Sequence, residues 1–283
     1  MKFSKLTAAI ALSAAATAFS TGAAAFTITN ADGANSFGGF DWASSGAAWT
    51  NGLQTAQDNF DSGCVSSCSF TIYYAAWAVA INDVDGNPLP GLHLDATPNG
   101  SQNANTLYEY TIFATLNATI VNNAGNFVQF VINPTSAFDI YYDTTPDALT
   151  TANGAWSGFQ DGTVMVSGNF QSPGVQTFDP LNPTNSVGLV GAVTYSGPQF
   201  SPALEGTILS STLQLFPSIS GSFNPPTSVD GVPVVDVGVT GTEALFRADA
   251  NQDFFQAPEP TSMALAGLAL MGVGALSRRR RQR

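Results

Sequence analysis

Along most of the chain, runs rich in aromatic and β-branched residues are separated by short turn pairs. The runs are Phe70 to Ile81, Leu107 to Val121, Phe127 to Ile132, Phe138 to Tyr142, Thr163 to Phe170, Val187 to Tyr195, Thr207 to Phe216 and Val232 to Val239. Apolar side chains alternate with others in Tyr108, Tyr110, Ile112, Ala114, Leu116 and in Val164, Val166, the period of half-buried antiparallel strands. Asn-Gly pairs start at Asn51, Asn99 and Asn153, and Asp-Gly pairs at Asp32, Asp85, Asp161 and Asp230. They supply the positive φ that tight hairpins need. No stretch of the body shows a long amphipathic helix. The pattern predicts an all-β fold: one antiparallel β-sandwich, jelly-roll-like, with long surface loops. Asn224 to Thr227 is the nearest thing to a linker, but the strand run after it is too short for a second domain, so residues 26–257 read as one body.

The two ends depart from this pattern. Residues 1–25 combine Lys2 and Lys5, an apolar stretch from Leu6 to Phe19, and the small triplet Ala23-Ala24-Ala25. This is the build of a signal peptide, with a signal peptidase cut before Phe26; the alternative, a buried amphipathic helix, lacks a polar face. At the other end Pro258-Glu259-Pro260 precedes an apolar run from Met263 to Leu276, then Arg278, Arg279, Arg280 and Arg281. A helix over 261–277 has about 21 to 24 Å of apolar length at roughly 1.5 Å per residue, short for a hydrocarbon core of about 30 Å. It spans with local thinning or with snorkelling arginines. The arginine cluster places its own side in the cytoplasm and the body outside. Pro258 and Pro260 keep the helix from running back into the body.

Tripeptide, short helix and arginine cluster, in this order behind a leader, resemble the PEP-CTERM sorting signal of Gram-negative bacteria, here over residues 258–283. The resemblance implies recognition and processing by an exosortase after a transient stay in the inner membrane, and export linked to exopolysaccharide. A plain anchor that is never cut is the alternative.

Charge narrows the functions open to the body. Between Phe26 and Ala257 it holds 19 acids and one base, Arg247, a net charge near −18. Nucleic acid needs several Lys or Arg on one face, so it is excluded as a partner. With 20 Phe, 7 Tyr and 4 Trp in the chain, a packed core is expected rather than disorder.

Candidate chemistry is sparse. Cys64 and Cys68 predict a disulfide in an exported chain, worth about 2 kcal/mol for so small a ring; the alternative, zinc, has only His93 to complete it. Asp83, Asp85 and Asn87 place oxygen ligands at alternate positions with Gly86 at the turn, as in calcium loops. They lack the distal bidentate Glu, and an Asp-Gly hairpin turn is the alternative reading. Calcium is the single cofactor the sequence raises. His93 is the sole imidazole base, and no Gly-x-Ser-x-Gly offers it a serine. The body glutamates are Glu109, Glu205 and Glu243, so a glycosidase carboxylate pair would also have to draw on Asp. The expectation is a non-enzymatic protein. Among the tryptophans, Trp77 reads as core, and Trp42, Trp49 and Trp156, flanked by Gly and Ser, are the surface platforms on offer for sugar rings.

Three stretches carry a second resemblance. They are Phe37-Gly38-Gly39-Phe40-Asp41-Trp42-Ala43; Phe138-Asp139-Ile140-Tyr141-Tyr142-Asp143 with Gly158-Phe159-Gln160-Asp161-Gly162-Thr163 and Ser167-Gly168; and Phe246-Arg247-Ala248-Asp249-Ala250-Asn251-Gln252-Asp253-Phe254. Together they resemble the flocculation-associated PEP-CTERM proteins. That resemblance implies an extracellular matrix or surface protein that promotes flocculation or biofilm formation with exopolysaccharide. The alternative is a carbohydrate-binding or glycoside-cleaving sandwich carrying the same tail.

Overall fold

The computed structural model describes residues 25–64, 68–97, 105–124, 127–151, 154–178, 185–217, 225–234 and 245–255. One compact unit runs from Ala25 to Phe255. The leader up to residue 24 and the tail from residue 256, with the expected span 261–277, lie outside the described residues. Among the described residues no helix is long and apolar enough to cross a membrane.

Among the described residues, eight long strands build the body: β3 (Gly39–Asn51), β4 (Ser69–Asn82), β5 (Glu109–Ala124), β7 (Ser136–Asp143), β9 (Thr163–Gln171), β11 (Asn185–Ser196), β13 (Ile208–Pro217) and β16 (Leu245–Phe255). Each pairs antiparallel with the next, and β16 pairs back onto β3. β5 pairs with β7 as well as β4, so the sheet has no ends. The expected sandwich is therefore corrected to a closed, up-and-down barrel of eight strands. Closure depends on the length of β5, whose first half bonds β7 while its second half bonds β6 (Phe127–Ile132). β10 (Gln176–Phe178) extends β6 as a flap off the barrel. Period-2 alternation is common to sandwich and barrel, which is why the pattern did not separate them.

Apolar side chains point inward. Phe40, Trp42, Tyr110, Ile112, Phe138 and Ala250 are among those buried in the main core. The interior is packed: a void lined by Tyr74, Ile112, Leu189, Leu213 and Ala250 measures about 10 Å³, roughly the room for one water. Outward positions on β13 and β16 include Ser210 opposite Asp253, Thr212 opposite Asn251 and Gln214 opposite Asp249, with the exposed Ile208 and Phe255 paired at the strand ends. Along most of this pair, apolar inside and polar outside is the reverse of the pattern of an outer-membrane barrel.

A hairpin, β1 (Phe26–Asn30) with β2 (Gly33–Phe37), and the short β12 (Phe200–Ser201) form a small sheet. It lies at the barrel end where β16 finishes: the Phe37 ring is 5.3 Å from that of Phe254 and 5.1 Å from that of Phe200. A second small sheet, β8 (Ala155–Trp156), β14 (Ser228–Val229) and β15 (Val232–Pro233), covers part of the outer wall. Beneath it Trp49, Trp77, Phe113, Trp156 and Phe159 make a second apolar core. The Asp230-Gly231 pair turns β14 into β15 with φ of 44° and 81°, the double positive φ of a type I′ turn. Among the described residues the helix content is one short element, α1 (Leu53–Asp61).

Candidate functional site

The barrel end that receives the β1–β2 hairpin also gathers the ionisable groups. Glu109 and Asp143 face each other as a cross-strand pair of β5 and β7, and the loop after β7 brings Asp147 beside them. One carboxylate oxygen from each of Glu109, Asp143 and Asp147 lies within 4.8 Å of the others. Glu109 is 1% exposed. Its Oε1 accepts from the backbone N–H of Asp147 and of Ala148, both at 3.0 Å. Burial pushes its carboxyl up to about 7; these two amides oppose the rise, and the charges of Asp147 and Asp143 add to it. Asp147 is also raised, by burial first and then by Asp161, Asp143 and Asp230. Asp230, raised chiefly by burial, accepts from the Phe159 N–H at 2.9 Å. The body's one base is elsewhere, with the Arg247 guanidinium 4.7 Å above the Phe216 ring on β13. Chemically, among the described residues Glu109, Asp143 and Asp147 are the group that could hold a hard divalent cation. As the fold uses it, Glu109 anchors the loop that seals the second core.

The sole histidine has a partner that sequence reasoning missed. His93 Nδ1 lies 2.6 Å from Asp32 Oδ1, and the His93 N–H donates to Asp32 Oδ2 at 2.8 Å. The Tyr108 hydroxyl donates to the same Oδ2 at 2.7 Å, and the Asn30 amide donates to the Tyr108 oxygen at 3.2 Å. Burial raises the Asp32 carboxyl, but the bonds from Tyr108 and His93 outweigh it and hold the group below its ordinary value. Asp32 sits in the β1–β2 turn and His93 in the loop between β4 and β5, so the network ties hairpin to barrel. His93 is half exposed.

Of the remaining sequence candidates, Cys64 and Cys68 form a disulfide, so zinc has no thiolates to use. In the Asp83 loop, Asp83 Oδ1 accepts from the backbone N–H of Asp85 and of Asn87, each at 2.9 Å. Backbone donation from Asn87 first, then Asp85, holds that carboxyl low, and the oxygen counted as a ligand is committed to the turn. Glu205 caps Ser196, accepting from its N–H and its hydroxyl at 2.8 Å each; Glu243 lies outside the described residues. The expected sugar platforms are corrected: Trp42, Trp49 and Trp156 are at most 1% exposed. The small residues around them, read as surface, are what makes room for the indoles; Ala43, Ala47 and Ala75 pack beside Trp49.

The first and third resemblance stretches pair with each other, and parts of the second pair among themselves. Gly39-Phe40-Asp41-Trp42 on β3 pairs with Ala250-Asn251-Gln252-Asp253 on β16, and Phe138-Asp139 on β7 pairs with Ser167-Gly168 on β9. Their glycines serve close approach. A Cβ at Gly39 would overlap the Gln252 carbonyl, and one at Gly168 would stand 2.5 Å from the Phe138 ring. These stretches are wall and core of the barrel. The second also supplies Asp143 and Asp161 to the acidic end.

Neither a curated protein nor a solved structure matches the chain. A family model, the PEP-CTERM protein-sorting motif, matches residues 256–281, beginning at the residue directly after β16. Pro258, Glu259, Pro260 and the cluster Arg278 to Arg281 all fall within it. The chain therefore carries a PEP-CTERM sorting motif, which implies processing by an exosortase, directly after the last described strand of a closed β-barrel.

Proposed function

We propose that the barrel is the exported, non-enzymatic part of a surface or matrix protein that promotes flocculation or biofilm formation together with secreted exopolysaccharide in a Gram-negative bacterium. The observation that carries the reading is the sorting motif at 256–281, which implies export and a transient membrane stage. Support for the matrix role comes from the three stretches similar to flocculation-associated proteins. With most of its aromatics in the core, the body offers polysaccharide a wall rich in Asp, Asn, Ser and Thr on β13 and β16. Contact with sugars then rests on hydrogen bonds, with calcium as a bridge between carboxylates. Signal peptidase, exosortase, the inner membrane and the polysaccharide are the partners in this reading.

Fractionation of cells producing the intact chain tests it. The barrel is expected in the extracellular fraction, sedimenting with polysaccharide, and Pro258-Glu259-Pro260 replaced by alanines is expected to hold it in the membrane. A barrel that stays in the periplasm, or that leaves the cell free of polysaccharide, overturns the reading.

A further inference from the structure

We infer that the outer wall of the barrel along β11, β13 and β16 is a platform for a neutral, β-linked glucan, with Tyr195 and Phe255 as the rings on which the sugars stack. The inference rests on the matrix reading above and adds to its hydrogen bonds a stacking surface and a class of polysaccharide. Among the described residues, Tyr195 and Phe255 are the two aromatic side chains with large exposure, 46% and 51%. Ile208, also exposed, stands on the strand between them, opposite Phe255 on β16 and opposite Ala192 on β11. Tyr195 follows Ala192 past a bulge in β11, where its partner on β9 is Ser167. Two strand spacings of about 4.8 Å each separate β11 from β16, so Phe255 stands roughly 10 Å across the sheet from β11. That is wider than one sugar ring and suits a chain of them.

Apolar side chains exposed together on a polar wall mark a contact surface, and their surroundings decide for what. The outward neighbours are small or hydrogen-bonding: Gly188 and Ala192 on β11, Ser210 and Thr212 on β13, Asn251 and Asp253 on β16. Small side chains keep the wall flat, which fits an extended ribbon. A glucan with equatorial β-linkages is such a ribbon, with C–H bonds on its faces and hydroxyls on its edges. The C–H face lies on an aromatic ring, while the carboxylate, amide and hydroxyl groups beside the ring meet the sugar hydroxyls. An acidic polymer is repelled by a body near −18, whose one arginine is held over Phe216. The same charge opposes a second copy, because stacking two such walls would set the Asp249 and Asp253 carboxylates of each against the other. It opposes an anionic lipid surface as well.

Affinity electrophoresis of the full chain tests the platform, with hydroxyethylcellulose as the neutral probe and polygalacturonate as the acidic one. Hydroxyethylcellulose is expected to retard the chain even when calcium is chelated, and polygalacturonate is not. Tyr195→Ala and Phe255→Ala are each expected to weaken the binding about tenfold, as the loss of one stacked ring. Tyr195→Phe keeps the ring, and Val121→Ala alters an exposed position on β5; both should bind as the parent does. Tyr195 and Phe255 are half exposed, so the alanine variants should keep the parent's urea midpoint. Absence of retardation by hydroxyethylcellulose, its loss on chelation, equal retardation by polygalacturonate, or undiminished binding in the alanine variants overturns the inference. A parent that is dimeric and alanine variants that are monomeric would assign the strip to a second copy and overturn it too. Failure of the matrix reading looks different: deleted cells would settle normally while the purified chain still bound hydroxyethylcellulose through Tyr195 and Phe255.

Discussion

Burial of Glu109 under the loop after β7 makes its carboxyl hold a proton up to about 7, against an ordinary value of 4.5. Because the folded value is the higher one, the folded state binds more protons than the unfolded chain between those two limits. Stability is full below 4.5, falls as the pH rises towards 7 and is flat beyond. The raised carboxyls of Asp147 and Asp230 act in the same direction. Urea unfolding at about pH 5 and about pH 8 is expected to show the difference, and Glu109→Gln should remove a share on the order of 3 kcal/mol. An unchanged pH dependence in that variant would refute the assignment. At Gly168 the test is steric. A methyl group there meets the Phe138 ring and the Ala192 carbonyl, so Gly168→Ala should cost about 1–3 kcal/mol as overpacking, read as a lower urea midpoint.

Among the elements, the β1–β2 hairpin is tied to the β4–β5 loop by one carboxylate with three donors, the His93 N–H, the His93 ring and the Tyr108 hydroxyl, beside its pairing with β12 and the Ala31 N–H bond to the Tyr142 hydroxyl. Asp32→Ala leaves the last of these three donors, on a buried tyrosine, without its acceptor, a loss of about 1–3 kcal/mol. Amide exchange in Thr27 to Asn35 should accelerate while β4 and β5 keep their protection; uniform acceleration would mean the hairpin has no separate latch. Strand positions were legible where side chains are large and branched: all but the last of the eight expected runs lie along β4 to β7, β9, β11 and β13, and of that last run only β15 falls within the described residues. β3 was harder to read because Gly, Ala and Ser fill Gly39–Asn51, and β16 because its outward face is Arg, Asp and Asn while small Ala248 and Ala250 face in. Closure was not legible at all, since alternation reports which face is buried and not which strands meet. The acidic end was hidden for the same reason: Glu109 and Asp143 become neighbours only through the β5–β7 pairing. The sorting signal was readable because its parts are consecutive in the chain.

For the whole molecule, a net charge near −18 on a body with one arginine sets up self-repulsion that salt screens and bound cations relieve. Calcium is expected to raise the melting temperature more than sodium chloride at equal ionic strength, because a cation that binds the folded form stabilises it by mass action. Equal shifts would leave screening alone. In Asp83→Asn/Asp85→Asn the calcium response should persist, since Asp83 already serves its own turn. The role in the cell is tested most directly by settling. Cells deleted for the gene should make and secrete polysaccharide yet remain dispersed, and the intact chain supplied on a plasmid should restore flocs. Deleted cells that settle like the parent would contradict the matrix role, as would cells that stop secreting polysaccharide.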